Sequence, residues 1–347
     1  MNRIKFSFLL ILISFYYQTK SQELINGVNA CRFEVATDHE SIEFIKVDTS
    51  KEKKPVLLFC QGSLPIPLII QFPDGDKMIT GLSNFDYKKL SQKFHIIIVS
   101  APFIPLEANE TQLNDQLAYI TDKTNKFSYP TEYTENNHLC YHVKRLNNVL
   151  DFLIRQDWVD SNAIMAIGHS QGARVAAQLS NENKNVKALG ILSCDLTGRM
   201  TQPIWMAQIA YMNGRISSEE KETTLNKVYD YYKSAQKNID QPSENGEDSN
   251  KNIVSFSKSL VETVSRLSIP VFIGYGTKDP ASWYCDFIPI HFIQNTKENY
   301  LVKPYYGLDH NFFEKDAEGK TLYDKCHWDT VIMDCVNYMT HYPHSRK

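Results

Sequence analysis

The chain has 347 residues, 42% hydrophobic and 22% charged, with Lys+Arg 37 against Asp+Glu 40 and a formal net charge of -3. That is the composition of an ordinary globular protein and excludes a disordered, collagen-like or polybasic chain. Balanced charge without a Lys/Arg run leaves no electrostatic footprint for a phosphate backbone, so nucleic acid is not expected as a partner.

At the amino terminus, Arg3 and Lys5 precede an apolar run over residues 6–17, and Thr19 and Ser21 are small residues suited to cleavage. This predicts an export signal over residues 1–21 and a secreted or periplasmic protein. The run is 12 residues long, short of the roughly 20 that a spanning helix needs, and no later stretch reaches that length. No stable membrane insertion is expected after signal removal.

Seven cysteines, at 31, 60, 140, 194, 285, 326 and 335, are too scattered for a disulfide framework. Cys60 and Cys194 lie in apolar runs and read as small buried hydrophobes, whereas Cys31, Cys140, Cys326 and Cys335 are free to pair in an oxidising compartment. His138 and His142 have the i, i+4 spacing of metal ligands. Without an intervening Glu and without a CxxC pair, no metal is expected.

In chain order, apolar runs predict strands over residues 42–47, 56–60, 96–100, 163–167, 188–193, 271–275 and 300–305. Helical periodicity predicts helices over 87–93, 139–156, 172–181, 254–267, 286–294 and 328–340. Alternation of the two is the pattern of a mainly parallel sheet flanked by helices. Two intervals break it. Residues 101–137 are polar and too long for a simple connection. Residues 196–252 open with helical patterns at 204–211 and 218–237 and end in a Ser/Asn/Glu-rich run, which reads as a disordered-looking loop over 240–252.

The run at 163–167 leads into Gly168-His169-Ser170-Gln171-Gly172, which opens a helix. A serine on so sharp a strand-to-helix turn needs neighbours without side chains two positions away on either side, and glycine supplies them. With 26 serines and 14 glycines, about 0.04 such matches are expected by chance.

On this motif the chain resembles the α/β-hydrolase superfamily, with most likeness to its dienelactone-hydrolase and prolyl-oligopeptidase-like branch. The resemblance implies an α/β-hydrolase fold, with the core in residues 22–195 and 253–347 and a small helical cap in 196–252. It also implies the chain order nucleophile, acid, histidine, each after a strand. Asp279, on the turn after 271–275, matches the acid, and Asp195, after the preceding strand, is the alternative. His310, 31 residues beyond Asp279, matches the base. His169 flanks the serine and reads as a structural residue that packs or hydrogen-bonds locally. His291 falls within a helix, and His327 begins the last one.

An oxyanion hole takes one N–H from the residue after the nucleophile, Gln171, and one from the loop after an earlier strand. There Gln61-Gly62-Ser63 stands where the family often has His-Gly, making Ser63 the candidate donor and Leu64 the alternative. Tyr119, Phe127, Tyr129, Tyr133, Trp205 and Tyr211 are candidates to line a pocket, and Trp283, Tyr284 and Tyr306 lie closer to the acid and the histidine.

The expected function is that of a serine esterase acting on a small or medium acyl ester, with a serine peptidase as the alternative and a non-catalytic binding protein on the same fold as a third reading. No Walker A or GxGxxG pattern is present, so no cofactor is expected.

Overall fold

The computed structural model describes residues 18–25, 27–243 and 248–342. Strands β1 (Gln18–Ile25), β2 (Val28–Ala36) and β3 (Ser41–Lys46) run antiparallel in succession. β4 (Lys54–Cys60) then enters the middle of the sheet, and its residues from Val56 onward are buried on both faces. β5 (Ile69–Gln71) and β6 (Lys77–Ile79) precede α1 (Tyr87–Ser91), β7 (His95–Val99) and β8 (Glu107–Asn109), and β5, β6 and β8 pair as a small separate sheet. Next come α2 (Thr131–Asn136), α3 (Leu139–Leu153), β9 (Val159–His169), α4 (Gln171–Glu182) and β10 (Val186–Leu192). Four helices, α5 (Thr201–Met212), α6 (Ser218–Lys237), α7 (Asn250–Phe256) and α8 (Val261–Ser265), lead to β11 (Val271–Gly276). The chain continues through α9 (Ile288–Gln294), β12 (Tyr300–Tyr305), the hairpin of β13 (Phe313–Lys315) and β14 (Thr321–Cys326), and α10 (Trp328–His341).

The main sheet has nine strands in the order β1-β2-β3-β7-β4-β9-β10-β11-β12. From β7 to β12 every neighbouring pair is parallel. Their carboxyl ends therefore share one edge, where ligands of such sheets bind. One face is covered by α3, α4 and α8, through residues such as Leu146, Leu150, Leu179 and Val264. The other is covered by α1 and α10, through Leu90, Val331, Ile332 and Val336. Each fully buried Leu, Ile or Val contributes roughly 1.5–3 kcal/mol, so these two layers hold the strand ends in register.

All seven expected strands are present; in the central ones, apolar runs buried on both faces leave little choice of fold. β1, β2, β14 and the three-residue strands were not expected. β2 interleaves Arg32 and Glu34 with its buried positions, and three residues are too few to show a period. The helix expected over 254–267 is two helices. Its break at Ser257 lets the Arg199 N–H reach the Phe256 carbonyl at 2.9 Å and the Leu260 N–H reach Leu196 at 2.9 Å.

Of the run at 240–252, residues 244–247 lie outside the described residues; at its end Ser249 caps α7, and Asn250 and Asn252 are buried. The interval 101–137, too long for a simple connection, holds β8, a 3-10 turn and α2. Of the expected leader, residues 1–17 lie outside the described residues, and the strand β1 begins at Gln18, ahead of the expected cleavage position. Among the described residues no helix is long and apolar enough to cross a membrane. The seven cysteines are all unpaired; Cys31 and Cys335 are buried, and Cys140 and Cys326 exposed.

Candidate active site

Ser170 is the single residue between β9 and α4, and it stands at φ 56, ψ -124. A serine held there costs about 1–3 kcal/mol, which the surrounding structure must over-determine. It does so by close packing. A Cβ on Gly168 would lie 2.2 Å from the Gly172 carbonyl oxygen, and one on Gly172 would lie 2.2 Å from that of Cys60. The Ser170 N–H donates to Leu192 at 2.9 Å, which ties the turn to the end of β10. The motif glycines therefore let strand, turn and helix approach to backbone contact.

Asp279 follows β11 and is almost fully buried. Its Oδ1 accepts from the Ala281 N–H at 2.8 Å, and its Oδ2 accepts from Ser282 Oγ at 2.6 Å. The same Oδ2 lies 2.8 Å from Nδ1 of His310, on the loop after β12. That loop is drawn against the acid turn by the Lys278 N–H, which donates to the Leu308 carbonyl at 2.9 Å. With Nδ1 engaged by the carboxylate, the other ring nitrogen is the one free to face the serine.

The alternative acid, Asp195, is turned elsewhere: its Oδ1 accepts from the Thr197 N–H at 3.0 Å and from Thr197 Oγ at 2.9 Å. Burial pushes its carboxyl above the usual range.

His169 does more than pack locally. Its Nε2 donates to the backbone carbonyl of His310 at 2.9 Å, across 141 positions of chain. Its ring lies edge-on to Trp328, with centroids 5.0 Å apart. Burial foremost, and then the nearby His310, hold its pKa down at about 4, so the ring is neutral.

Ser63 follows β4, and Gln171 is the first residue of α4, where N–H groups have no acceptor within the helix. Both line a cavity with Ser170 and His310. Buried Tyr133 donates from Oη to the Ser63 carbonyl at 2.7 Å. One turn on, buried Asn137 accepts at Oδ1 from the Gln171 side chain at 3.2 Å and from His142 Nε2 at 2.8 Å. The Asn137 carbonyl accepts from Asn252 Nδ2 at 2.6 Å, linking this segment to α7. Gln61, where a histidine is usual in the resembled family, donates to the Val99 carbonyl at 3.2 Å.

His142 is thus an internal hydrogen-bonding residue; burial above all holds its pKa down at about 3. Its expected companion, His138, caps α3. Among the described residues no group of three His, Cys, Asp or Glu side chains is placed to hold a metal.

Two cavities, of about 200 and 290 Å³, meet at Ser63, Ser170 and His310. The first carries charged side chains, with Arg174, Asp195 and Arg199 beside Ser193 and Gln202 on its wall. The second is lined by Phe59, Leu64, Ile66, Phe85 and Trp328 and carries no Arg, Lys, Asp or Glu.

None of the aromatic residues expected to line a pocket lines either cavity. Trp205 and Trp283 stack on each other at 4.4 Å, and Tyr306 is exposed on the surface. Trp328, Arg174 and Asn137 were not foreseen, and Tyr133, expected as a pocket lining, instead holds the Ser63 carbonyl. The signal for Arg174 was its place one turn after the serine.

No protein-family model matches the sequence, and no curated protein matches it. Solved structures do. The acylaminoacyl peptidase of Pyrococcus horikoshii is similar at a TM-score of 0.55 and 11% identity, over 92% of this chain and 43% of that one. The alpha/beta hydrolase GrgF of a Penicillium species is similar at a TM-score of 0.53 and 12% identity, over 90% of this chain and 98% of that one. A dipeptidyl aminopeptidase IV-like protein of Bacteroides ovatus is similar at a TM-score of 0.52 and 12% identity, over 89% of this chain and 36% of that one. The chain thus spans well under half the length of the two peptidases and nearly all of the hydrolase. Parallel sheet, flanking helices and these likenesses agree that the chain has the α/β-hydrolase fold.

Proposed function

We propose that the protein is a serine hydrolase that cleaves a carboxylic ester through an acyl-enzyme on Ser170. The observation that carries this reading is the 2.8 Å contact between Asp279 and His310, beside a serine on a strained turn that shares a cavity with His310.

His310 takes the Ser170 proton as Oγ attacks the ester carbonyl, and the C=O electron pair moves onto oxygen. The N–H groups of Gln171 and of Ser63, or of Leu64 beside it, stabilise that oxyanion, while Asp279 supports the imidazolium. The tetrahedral centre collapses, the C–O bond to the alcohol breaks, and His310 returns the proton to the departing oxygen. Water, deprotonated by His310, then attacks the acyl-enzyme, and Ser170 leaves with the proton as the carboxylic acid forms.

Small or medium acyl and alcohol groups suit cavities of this size. The second reading is a serine peptidase, favoured by the peptidases among the similar folds. Turnover of 4-nitrophenyl esters against a panel of aminoacyl anilides tests the choice. The ester reading expects the first to be cleaved and the second not, with the activity gone in Ser170→Ala; cleavage of anilides alone overturns it. Export is likewise proposed, and amino-terminal sequencing of protein recovered outside the cytoplasm tests it. An intact leader there overturns the proposed cleavage.

A further inference from the structure

We propose that the cavity beside Ser170 that carries Arg174 on its wall is the subsite for a carboxylate carried by the ester substrate, and that Arg174 and Ser193 select it; this deepens the serine-hydrolase reading and rests on it. Arg174 sits one turn after Ser170 on α4 and is only 6% exposed. Its Nη2 donates to the Lys258 carbonyl, and it stands beside the buried Cys194 thiol, a weak acceptor. Its Nε has no hydrogen-bond partner among the described residues, and no carboxylate there lies within ion-pair distance of the guanidinium. Arg199, on the same wall, is by contrast paired with Asp248 at 2.7 Å.

The Ser193 hydroxyl, 1% exposed, likewise lacks a partner among the described residues, and its backbone is held at φ 51. Two buried donors without partners, on residues that wall one cavity, call for an acceptor; Arg174 feels Asp195 only at longer range, without an ion-pair contact, so an anion that contacts it directly stabilises the buried charge. A carboxylate meets both needs, since its two oxygens match the planar guanidinium fork. Asp195, the carboxyl on that wall, is engaged with Thr197. Burial pushes its carboxyl up, and a second carboxylate nearby acts in the same direction. The other cavity has no Arg, Lys, Asp or Glu on its wall, so the two halves of the substrate are distinguished by charge.

The test compares esters matched in size. On the acyl side these are 4-nitrophenyl hemiglutarate, 4-nitrophenyl valerate and 4-nitrophenyl 5-hydroxyvalerate; on the alcohol side, the butyrate ester of 4-hydroxybenzoate and phenyl butyrate. The parent protein is expected to prefer the carboxylate-bearing member of one series by roughly ten- to hundredfold in kcat/KM, the range of a hydrogen bond to a charged group. In Arg174→Gln the ratio collapses towards one, and Arg174→Lys keeps part of it. Labelling of each variant by a fluorophosphonate confirms that the site has formed. No preference in either series, preference for the hydroxyl-bearing ester, or a preference that survives Arg174→Gln overturns the proposal. If the parent neither labels nor turns over any ester, the serine-hydrolase reading fails. Calorimetry of hemiglutarate ester binding to Ser170→Ala then decides the subsite separately: loss of binding with Arg174→Gln added supports it, and unchanged binding overturns it.

Discussion

The hydroxyl of Tyr133 lies 2.7 Å from the carbonyl oxygen of Ser63, joining the segment before α3 to the loop that borders the nucleophile. A hydrogen bond to that carbonyl fixes the plane of the peptide between Ser63 and Leu64, and so the direction of the Leu64 N–H as well as the seat of Ser63. In the proposed mechanism either amide meets the oxyanion, and Tyr133 would act upon it from behind.

Tyr133→Phe removes one neutral hydrogen bond worth about 0.5–1.5 kcal/mol. The expected result is a fall in kcat of roughly 2- to 13-fold with little change in KM, measured on a 4-nitrophenyl ester. A loss of three orders of magnitude would place Tyr133 in the chemistry itself.

Asp279→Asn leaves the size of the side chain but removes the charge beside His310. By analogy with other Ser-His-Asp sites, kcat should fall by up to about 10⁴-fold. Asp195→Asn, which leaves the Asp279–His310 contact intact, should fall far less. Equal losses in the two variants would contradict the assignment of the acid.

Gly172→Ala forces a methyl group to within 2.2 Å of the Cys60 carbonyl oxygen, which is backbone and cannot swing aside. Overpacking of this kind costs about 1–3 kcal/mol or more. A lower Tm and loss of fluorophosphonate labelling are expected together, whereas Gly75→Ala, with nothing within 4 Å of its Cβ site, should keep labelling.

His169 gives a pH dependence of stability. Its pKa in the folded protein is about 4, below the ordinary 6.5, because burial disfavours the charged ring. The unfolded chain therefore binds a proton that the native state refuses, and stability falls as pH drops from about 6.5 towards 4. Urea midpoints measured across that range should decline, and His169→Gln should decline less steeply. His142, held at about 3 by burial, contributes the same sign and remains in that variant.

The strands that carry the site were legible because β4, β9 and β11 are apolar on both faces, and the serine because only glycine tolerates its turn. Asp279 and His310 were legible from their order and strand ends. What supports them was not. Tyr133 meets Ser63 across 70 positions, Asn137 meets Gln171 across 34, and His169 meets His310 across 141. Such contacts follow from tertiary packing and leave no period or motif in the chain. The break at Ser257 was hidden for the same reason: the groups that satisfy its backbone, Arg199 and Leu196, come from a distant segment.

The central claim is that Ser170 is an activated nucleophile. The most direct measurement is fluorophosphonate labelling of the intact protein, followed by mass mapping of the modified peptide. A single adduct on Ser170, absent in Ser170→Ala and much slower to form in His310→Ala, is the predicted result. Equal labelling of the parent and Ser170→Ala would contradict it.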